Sequence, residues 1–431
     1  MTRSVSLATL GCKTNQFESS AMQERLVAAG YQVVPFESGA ELVIVNTCTV
    51  TAATDSQSRN LVRRARRFNP ECRVVVTGCY AQVDPQSLAA LPGVSLVIGN
   101  EEKNNFLDYL EKDRPTHVEV SDIRSIESAC VMPLTSLSGR SRAFVQIQNG
   151  CDAFCSYCII PFARGRSRSV VSDQVLEQVA NLHALEVPEV VLTGIHIGGY
   201  GADLAPVTSL SMLLERIETE TDLKRLRLGS IEPLELHDEL LNRISASEIV
   251  CPHLHIPLQS GDNAVLQRMN RHYTTDQFRH LVEGLVERLP DVAIGLDVIA
   301  GFPGETEAEH ERTCALIETL PVSSLHVFPF SKRPGTPAAQ MSNQLQGDVI
   351  KHRAAQLRAL GEQKYQQFAR RFVGRNLQVV VESGDDEALC KGVSREYLEV
   401  SFAGSDADRG REVTVRVSEV DDGMLRGVIL R

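Results

Sequence analysis

Short apolar runs alternate with amphipathic segments through the first hundred residues. The apolar runs predict strands at 5–10, 42–46, 73–77 and 95–98, and the periodic segments predict helices at 16–29, 55–68 and 85–91. All-apolar strands separated by helices are typical of a parallel sheet that is covered on both faces. The pattern therefore predicts an α/β, doubly wound N-terminal domain, to which we assign residues 1–112.

The alternation resumes near residue 143 with longer units. Six strands are predicted at 143–148, 190–193, 225–228, 253–258, 293–299 and 324–330, with helical segments between them. Six such units suit a partial (β/α)6 barrel better than a closed eight-stranded one, and active sites in such barrels lie at the carboxyl ends of the strands. We assign residues 139–370 to this central domain, which ends in a long helical stretch.

Two further segments complete the chain. Residues 113–138 have irregular composition, rich in Ser and Pro, and predict a linker. Residues 371–431 contain short alternating segments at 377–381, 397–402, 412–417 and 424–430. These predict a small antiparallel β-barrel of the OB-like kind.

Composition narrows the class of protein. The 431 residues are 43% hydrophobic and 23% charged, as in soluble globular proteins, and the net charge is −11. We see no apolar run near the roughly 18 residues that a membrane helix needs and no apolar secretory signal, so we expect a cytoplasmic protein without membrane contact. The acidic balance argues against a wholly basic nucleic-acid binder but leaves room for a local phosphate-binding patch.

The chain contains eleven cysteines, an odd number, which favours reduced thiols and metal ligation over disulfides.

Three cysteines with C-x3-C-x2-C spacing directly follow the first strand of the predicted barrel. Cys151, Cys155 and Cys158 can hold three corners of a four-iron cube and leave the fourth iron open to a small chelating molecule. The alternative is a zinc site, but structural zinc usually takes four ligands, and the nearest further candidate, His183, lies well outside the loop. The spacing favours a [4Fe-4S] cluster.

A second cysteine trio follows the strands of the N-terminal domain. Cys12, Cys48 and Cys79 come at or just after the ends of three successive predicted strands, whose carboxyl ends share one edge of a parallel sheet. We therefore expect them to be neighbours and to hold a second [4Fe-4S] cluster, although strand-end cysteines are also common as small core residues. The other five show no such arrangement and are interpreted as core or incidental surface thiols: Cys72, Cys130, Cys251, Cys314 and Cys390.

Basic residues suggest where phosphates could bind. One face of the predicted helix 55–68 carries four arginines, and the opposite face carries Leu61, Ala65 and Phe68. A solvated surface helix is the alternative, but a phosphate backbone passing the cysteine edge would meet these side chains. A second cationic group follows the C-x3-C-x2-C loop, and a third lies just before and within the terminal barrel, which is itself slightly acidic. The candidates for RNA contact are Arg59, Arg63, Arg66 and Arg67, then Arg164, Arg166 and Arg168, then Arg370, Arg371, Arg375 and Lys391.

These residues lie in motifs of a known family. The runs 8–15, 46–50 and 77–79 resemble the N-terminal domain of radical-SAM methylthiotransferases. The runs 150–169, 192–196, 230–233, 258–261 and 300–305 resemble their core, and the tail resembles a TRAM domain. The resemblance covers essentially the whole chain. The motif at Gly11 to Asn15 and the run 325–337 resemble the sequences of one branch of the family, which acts on threonylcarbamoyladenosine in tRNA.

The resemblance implies the reaction and its cofactors. It implies methylthiolation at C2 of N6-threonylcarbamoyladenosine next to the tRNA anticodon, with S-adenosylmethionine as radical source and methyl donor. It also implies two [4Fe-4S] clusters, the catalytic one on Cys151, Cys155 and Cys158. We further expect a tRNA substrate, an external electron donor and a monomeric enzyme. Residues assigned to S-adenosylmethionine are Tyr157, Thr193, Gly194, Ser230, Glu232 and Gln259, for most of which a loop-capping role is the alternative.

Two other functions stay open at this point. The same chemistry could act on isopentenyladenosine in tRNA or on an aspartate of a ribosomal protein. A protein of another class, a non-catalytic iron–sulfur RNA-binding protein, would use the clusters as structural staples and would not cleave S-adenosylmethionine.

Overall fold

The N-terminal domain is a six-stranded, all-parallel sheet. The computed structural model describes residues 3–111, 117–129, 132, 141–384 and 389–430. In spatial order the strands are Gln32–Val33, Ser4–Thr9, Leu42–Thr47, Arg73–Gly78, Val94–Ile98 and His117–Glu119. The helices are Lys13–Ala28, Ala52–Phe68, Cys79–Val83, Pro85–Ala89 and Phe106–Leu110.

Helices cover both faces of this sheet, which confirms the doubly wound class. Every residue of Leu42–Thr47 is buried because its side chains alternate between two separate cores. Ile44 packs with Met22 of the first helix on one face, while Val43 packs with Val62 of the second helix on the other.

The sheet extends into the segment predicted as a linker. His117–Glu119 pairs in parallel with Val94–Ile98 as the last strand of the sheet. Its three residues are all half-buried and form no apolar run, so the hydrophobic pattern could not reveal it. Cys130 and much of the predicted linker lie outside the described residues.

The central domain is the predicted partial barrel. Its six parallel strands are Arg142–Gln146, Glu189–Thr193, Leu226–Leu228, His253–Gln259, Ala293–Ala300 and Ser324–Pro329. They form two three-stranded sheets joined by bridges from Leu226 and Ser230, and no pairing among the described residues joins the first strand to the last. The main accompanying helices are Ser172–Ala184, Leu210–Glu220, Asp238–Ala246, Asn263–Arg268, Thr275–Arg288, Glu307–Thr319 and Gly347–Arg370.

The N-terminal domain packs across the open side of this barrel. Its first helix contacts the first barrel strand. At the other edge, the backbone N–H of Ala52 donates to Ser331 Oγ at 2.9 Å, and the buried Arg333 donates to Thr49 at 2.6 Å and to Asp55 at 2.7 Å. The carboxyl ends of both parallel sheets therefore converge, as two facing cluster loops require.

The C-terminal domain is a closed five-stranded barrel. Its strands are Asn376–Gly384, Leu389–Ser394, Glu399–Ala403, Glu412–Asp421 and Met424–Leu430. Four pairings are antiparallel, as predicted, but Glu399–Ala403 pairs in parallel with Met424–Leu430. The sequence pattern missed Leu389–Ser394, whose alternation is interrupted by Gly392.

Two fully buried arginines fasten this barrel to the amino ends of the central strands. Arg225 donates to the carbonyls of Gln378 and Val393, and Arg227 donates to the carbonyl of Ser394. Both form ion pairs with the buried Glu189, at 2.5 and 2.8 Å. None of the described helices combines the length and apolarity that crossing a membrane requires.

Candidate active site

Cys12, Cys48 and Cys79 come together at one edge of the N-terminal sheet. The three strands that lead to them are consecutive neighbours, and Asn46 lies in register with both Thr9 and Thr77. Cys12 is exposed, whereas Cys48 and Cys79 are buried. The predicted adjacency of the trio is therefore present in the fold.

Two glycines make room for the trio. Gly11 and Gly78 both have φ near +98°, in the left-handed region that favours glycine. A Cβ on Gly11 would lie 2.9 Å from the sulfur of Cys48, and a Cβ on Gly78 would lie 2.3 Å from the carbonyl of Thr47. A side chain at Gly11 would fill the space next to the Cys48 sulfur, and one at Gly78 would collide with the backbone of Thr47, which directly precedes Cys48.

A buried ionic network connects this trio to the central domain. Arg164 is fully buried, and its Nε donates to Cys79 Sγ at 3.2 Å. The other guanidinium nitrogens donate to Glu18 and Asn15 of the first helix, and Lys103 donates to the same Glu18. Two buried cations thus face one carboxylate, so the network holds one positive charge more than Glu18 can balance, and that charge lies against the Cys79 sulfur.

The charges of this network shift the pKa of Glu18 strongly. Burial alone would raise the pKa of this carboxyl, but Arg164 and Lys103 outweigh burial and lower it to about 2. By contrast, burial and the neighbouring Cys79 raise the pKa of the Cys48 thiol to about 11. Metal binding must therefore displace a proton from Cys48.

The placement of Arg164 and Arg168 corrects one sequence prediction. Both were expected to contact phosphates, but they are buried, with exposures of 0% and 3%. Arg168 donates to the carbonyl of Arg164 at 3.0 Å and so supports the same loop. Only Arg166 of that group is exposed and free to meet a phosphate backbone. The sequence shows that these residues are cationic but not which way the loop turns them.

The second trio lies on a loop that is held from two sides. The backbone N–H of Cys151 donates to the carbonyl of Gly165, while Ser156 donates to the carbonyls of Arg268 and Met269. Gly150 has φ +75°, and a Cβ there would lie 1.7 Å from the carbonyl of Arg166. This close approach explains why glycine precedes the first cysteine.

Charged side chains also contact the second trio. Arg271 Nη1 donates to Cys155 Sγ at 3.4 Å and forms an ion pair with Glu232. His196 forms a 2.5 Å ion pair with Glu235. Although burial lowers the pKa of His196, its hydrogen bonds to Cys151 and Glu235 raise that pKa to about 10. The sulfur atoms of Cys151 and Cys155 therefore each have a hydrogen-bond donor from a basic side chain.

The spacing of the sulfur atoms fits a cluster better than a single ion. Among the described residues, only His255, Asp297 and His326 bring three potential ligand atoms within 4.8 Å of one another. Three thiolates bound to one zinc ion at about 2.3 Å would lie closer together than that. Each trio, with cationic hydrogen-bond donors and three sulfur ligands, suits a larger inorganic centre with one open metal position.

A cavity of about 200 Å³ joins the two cysteine loops. Val50 and Thr51, just after Cys48, line it together with Tyr157, which lies between Cys155 and Cys158. Gln259 and Phe330 from the barrel strand ends complete it. A molecule in this cavity would contact both cysteine loops at once.

The residues assigned to S-adenosylmethionine divide into two groups. Tyr157 and Gln259 line the shared cavity, and Glu232 lines a neighbouring cavity of about 310 Å³ with Cys155 and Arg271. Thr193 and Gly194 lie at the end of strand Glu189–Thr193, beside the segment that leads into the cysteine loop. The Thr193 carbonyl accepts a hydrogen bond from the backbone N–H of Ile147, and Gly194 packs close to Gln148. Ser230 is exposed, and its hydroxyl donates to the His255 carbonyl at 3.4 Å. None of these last three lines either cavity.

The four arginines of the helix Ala52–Phe68 differ in their exposure and in the hydrogen bonds that they already make. Arg63 and Arg67 are exposed. Arg59 donates to the Tyr80 hydroxyl at 2.8 Å, and Arg66 donates to the Pro70 carbonyl at 3.0 Å. The predicted apolar face is shifted, since Val62 and Ala65 are buried while Leu61 is half-buried and Phe68 is 43% exposed.

The arginines near the terminal barrel lie on the far side of the molecule. Arg371 donates to the Pro290 carbonyl, and both Arg371 and Arg375 form ion pairs with Asp291. Asp291 just precedes strand Ala293–Ala300, so this group lies at the amino ends of the barrel strands. Arg370 beside it is exposed. RNA would have to extend from one end of the barrel to the other to meet both arginine groups.

The remaining described cysteines lie away from both trios. Cys72, Cys251 and Cys390 are buried, and Cys314 is half-buried, 3.6 Å from His310. They agree with the interpretation as core or incidental thiols.

Replacing Arg164 with methionine should destabilise the protein strongly. Glu18 would lose a buried partner, which typically costs about 3–5 kcal/mol of unfolding free energy. Because the folded pKa of Glu18 is near 2, below its ordinary 4.5, its stabilising contribution is present above pH 4.5 and is lost as pH falls toward 2. In Arg164→Met this acid-dependent loss should shrink. Denaturant unfolding between pH 2.5 and 7 measures both effects, with exposed Arg166→Met as the control, expected to change stability by less than about 0.5 kcal/mol.

Comparison with family models matches both cysteine-bearing domains. Residues 4–99 match "Uncharacterized protein family UPF0004", and residues 145–317 match "Radical SAM superfamily". The first range contains Cys12, Cys48 and Cys79, and the second contains the C-x3-C-x2-C loop.

Curated relatives extend over nearly the whole chain. Threonylcarbamoyladenosine tRNA methylthiotransferase MtaB of Bacillus subtilis (strain 168) is 39% identical over 421 residues, which cover 96% of this chain and 93% of the relative. The tRNA-2-methylthio-N(6)-dimethylallyladenosine synthase of Caldicellulosiruptor saccharolyticus is 33% identical and covers 98% of this chain and 92% of that one.

A solved structure shares the fold. The radical S-adenosylmethionine methyltransferase TsrM of Kitasatospora setae aligns with a TM-score of 0.58 at 17% identity, covering 79% of this chain and 77% of that one. At that identity the likeness shows the architecture alone.

Proposed function

This chain belongs to the radical S-adenosylmethionine methylthiotransferases that act on threonylcarbamoyladenosine in tRNA, and from that membership we propose how its residues carry out the reaction. The enzyme methylthiolates C2 of N6-threonylcarbamoyladenosine, with S-adenosylmethionine and [4Fe-4S] clusters as cofactors. The observation that carries the mechanism is the shared cavity, because its walls come from the loops of both cysteine trios.

The two trios divide the chemistry between them. Cys151, Cys155 and Cys158 would hold one cluster, and Cys12, Cys48 and Cys79 the other. When bound, the first supplies the electron that cleaves S-adenosylmethionine, and the second supplies the sulfur that is methylated and transferred.

The protein's own residues position the reactants. Tyr157 and Gln259, which both line the shared cavity, are proposed to hold S-adenosylmethionine beside the loop, with Glu232 fixed in place by Arg271. Thr193, Gly194 and Ser230 support the strand ends on which that pocket is built. Packing of the N-terminal domain over the open side of the barrel brings the two cysteine loops to one cavity.

Charged neighbours tune the cysteine ligands. Arg164 holds a hydrogen bond to Cys79, and Arg271 holds one to Cys155. Such donors to ligand sulfur atoms raise the reduction potential of a cluster. Arg164 also ties the two cluster-bearing domains together through Glu18, so it keeps their separation fixed.

Substrate choice is tested by direct comparison. Purified enzyme, anaerobically reconstituted and reduced, is incubated with tRNA bearing threonylcarbamoyladenosine, tRNA bearing isopentenyladenosine, and the ribosomal protein substrate. We expect the mass gain of one methylthio group on threonylcarbamoyladenosine alone. A gain only on either other substrate would overturn the assignment, and no cleavage of S-adenosylmethionine would favour the non-catalytic iron–sulfur protein.

The exposed arginines of the second helix are proposed to contact the tRNA backbone. The helix Ala52–Phe68 starts beside Ser331 at the domain junction, so a bound tRNA can pass along it. Arg63→Glu with Arg67→Glu should weaken tRNA binding and reduce the slope of log K against log salt by about 2. Exposed residues of the long helix, changed together as Lys351→Glu and Arg358→Glu, are the control. An unchanged salt slope would contradict the contact.

Three further expectations belong to this proposal. Cleavage of S-adenosylmethionine requires an electron from outside, so an external electron donor is a partner. We propose that the enzyme acts as a monomer in the cytoplasm. Arg59 and Arg66 would join the tRNA contact only by leaving their present partners, while Arg370 and Arg371 would contact a distant part of the tRNA.

A further inference from the structure

Three cations surround one tyrosine at the floor of the central barrel. Tyr397 lies in the turn before strand Glu399–Ala403 of the terminal barrel, with φ +65°. Lys13 Nζ is 5.9 Å from the centroid of its ring, Arg142 Cζ is 5.8 Å away, and Arg227 Cζ is 4.9 Å away. A ring that attracts cations thus gathers side chains from the N-terminal domain and from two barrel strands.

Lys13 is the member of this group without an acidic partner. Arg227 is paired with Glu189 at 2.8 Å, and Arg142 is paired with Glu382 at 2.6 Å. Within the described part of the chain, no carboxylate oxygen lies within 4.0 Å of the Lys13 ammonium. The half-buried Lys13 ammonium therefore places an unpaired positive charge at the floor of the barrel. An anion would bind more strongly there than to an ammonium in open solvent.

A buried histidine beside the same ring has one ring nitrogen without a hydrogen-bond partner. His253 is 4% exposed, and its ring stacks on Tyr397 with centroids 4.3 Å apart. Its Nδ1 is buried and makes no hydrogen bond. Buried polar atoms normally have partners, so this one indicates a group that joins the site when the substrate binds.

The position of Lys13 connects this floor to the sulfur-transfer site. Lys13 directly follows Cys12, the exposed member of the N-terminal trio. The carbon that receives the methylthio group must come close to Cys12, and therefore close to Lys13 as well. Tyr397 and His253 also line a cavity of about 320 Å³ that Lys13 does not line, and its other lining residues include Glu396 and Glu399. That lining repels an anion, so an anionic group would enter from the Cys12 side.

We propose that Lys13, set against Tyr397 and His253, binds the carboxylate of the threonylcarbamoyl group and thereby selects an anionic N6 substituent over a neutral one. The inference rests on the proposed function, because it assumes that this adenosine enters the barrel. A threonylcarbamoyl group ends in a carboxylate, whereas an isopentenyl group is an uncharged hydrocarbon. A half-buried ammonium rejects the hydrocarbon because it would lose hydration without gaining a partner.

Equilibrium binding of anticodon stem-loop RNAs tests the proposal. Cluster-loaded enzyme without reductant is titrated with three RNAs: one bearing threonylcarbamoyladenosine, one in which its carboxylate is an amide, and one with unmodified adenosine. Fluorescence anisotropy gives each Kd. The wild-type enzyme should bind the acid about tenfold or more tightly than the amide, and Lys13→Met should reduce that ratio to less than about twofold. Lys13→Arg should keep part of the preference, and the exposed Lys351→Met should keep all of it.

Two results would overturn the proposal. One is an unchanged preference in a Lys13→Met protein whose iron content matches that of the wild type. The other is a wild-type enzyme that binds acid and amide equally, which decides the matter even if Lys13→Met does not fold. Methylthiolation of the acid RNA by the same wild-type preparation shows whether the proposed function itself stands, so the two failures are distinguishable.

Discussion

Replacing Cys155 with alanine abolishes reductive cleavage of S-adenosylmethionine and, with it, all methylthiolation. Cys155 is the central cysteine of the C-x3-C-x2-C loop, buried and hydrogen-bonded to Arg271. With only two thiolates left, the loop cannot hold three irons of a cube, and the open iron that would bind S-adenosylmethionine is lost. The measurement is 5′-deoxyadenosine formed by dithionite-reduced enzyme, followed by liquid chromatography.

A matched variant separates ligand loss from general damage. Cys314 is half-buried and lies in helix Glu307–Thr319, away from both trios, so Cys314→Ala should keep wild-type cleavage. Cleavage that persists in Cys155→Ala would show that another site binds S-adenosylmethionine and that the loop has been misassigned.

Replacing Cys12 with alanine has a different effect, because it should separate the two activities. Cys12 is exposed, so its truncation removes little packing. The Cys151, Cys155 and Cys158 loop remains intact, and S-adenosylmethionine should still be cleaved at a rate near that of the wild type. Formation of the methylthio nucleoside should fall by at least about a hundredfold, since loss of a direct ligand exceeds the 10–100-fold cost typical of losing an outer-shell partner.

Both products are measured in the same reaction, as 5′-deoxyadenosine and as methylthiolated nucleoside after tRNA digestion. Lys351→Ala, an exposed change on the long helix Gly347–Arg370, serves as the control and should leave both unchanged. If Cys12→Ala transferred sulfur normally, the N-terminal trio would have no part in the chemistry.

The arrangement of domains and cysteines was predictable because it follows from local pattern. Strand-end positions put Cys12, Cys48 and Cys79 on one sheet edge, and the parallel order of the strands guarantees that edge is shared. The C-x3-C-x2-C spacing acts within a single loop and needs no tertiary information. The partial barrel likewise follows from counting six strand–helix units.

What the sequence could not show depends on contacts between distant segments. Arg164 looks like a surface cation in the chain, but Glu18, 146 residues earlier, turns it into a buried partner of Cys79. Arg271 reaches Cys155 from 116 residues away, and nothing in its neighbourhood signals that role. His196 lies in a recognisable motif, yet its bonds to Cys151 and Glu235 emerge only from the fold.

Counting iron and acid-labile sulfide per chain tests most directly whether both trios hold clusters. The assay uses anaerobically reconstituted wild-type enzyme and the two variants in which either cysteine trio is replaced by alanine. Two cubes predict about eight irons and eight sulfides in the wild type and about four of each in either variant. About four irons in the wild type, or zinc in place of iron at either trio, would contradict the account.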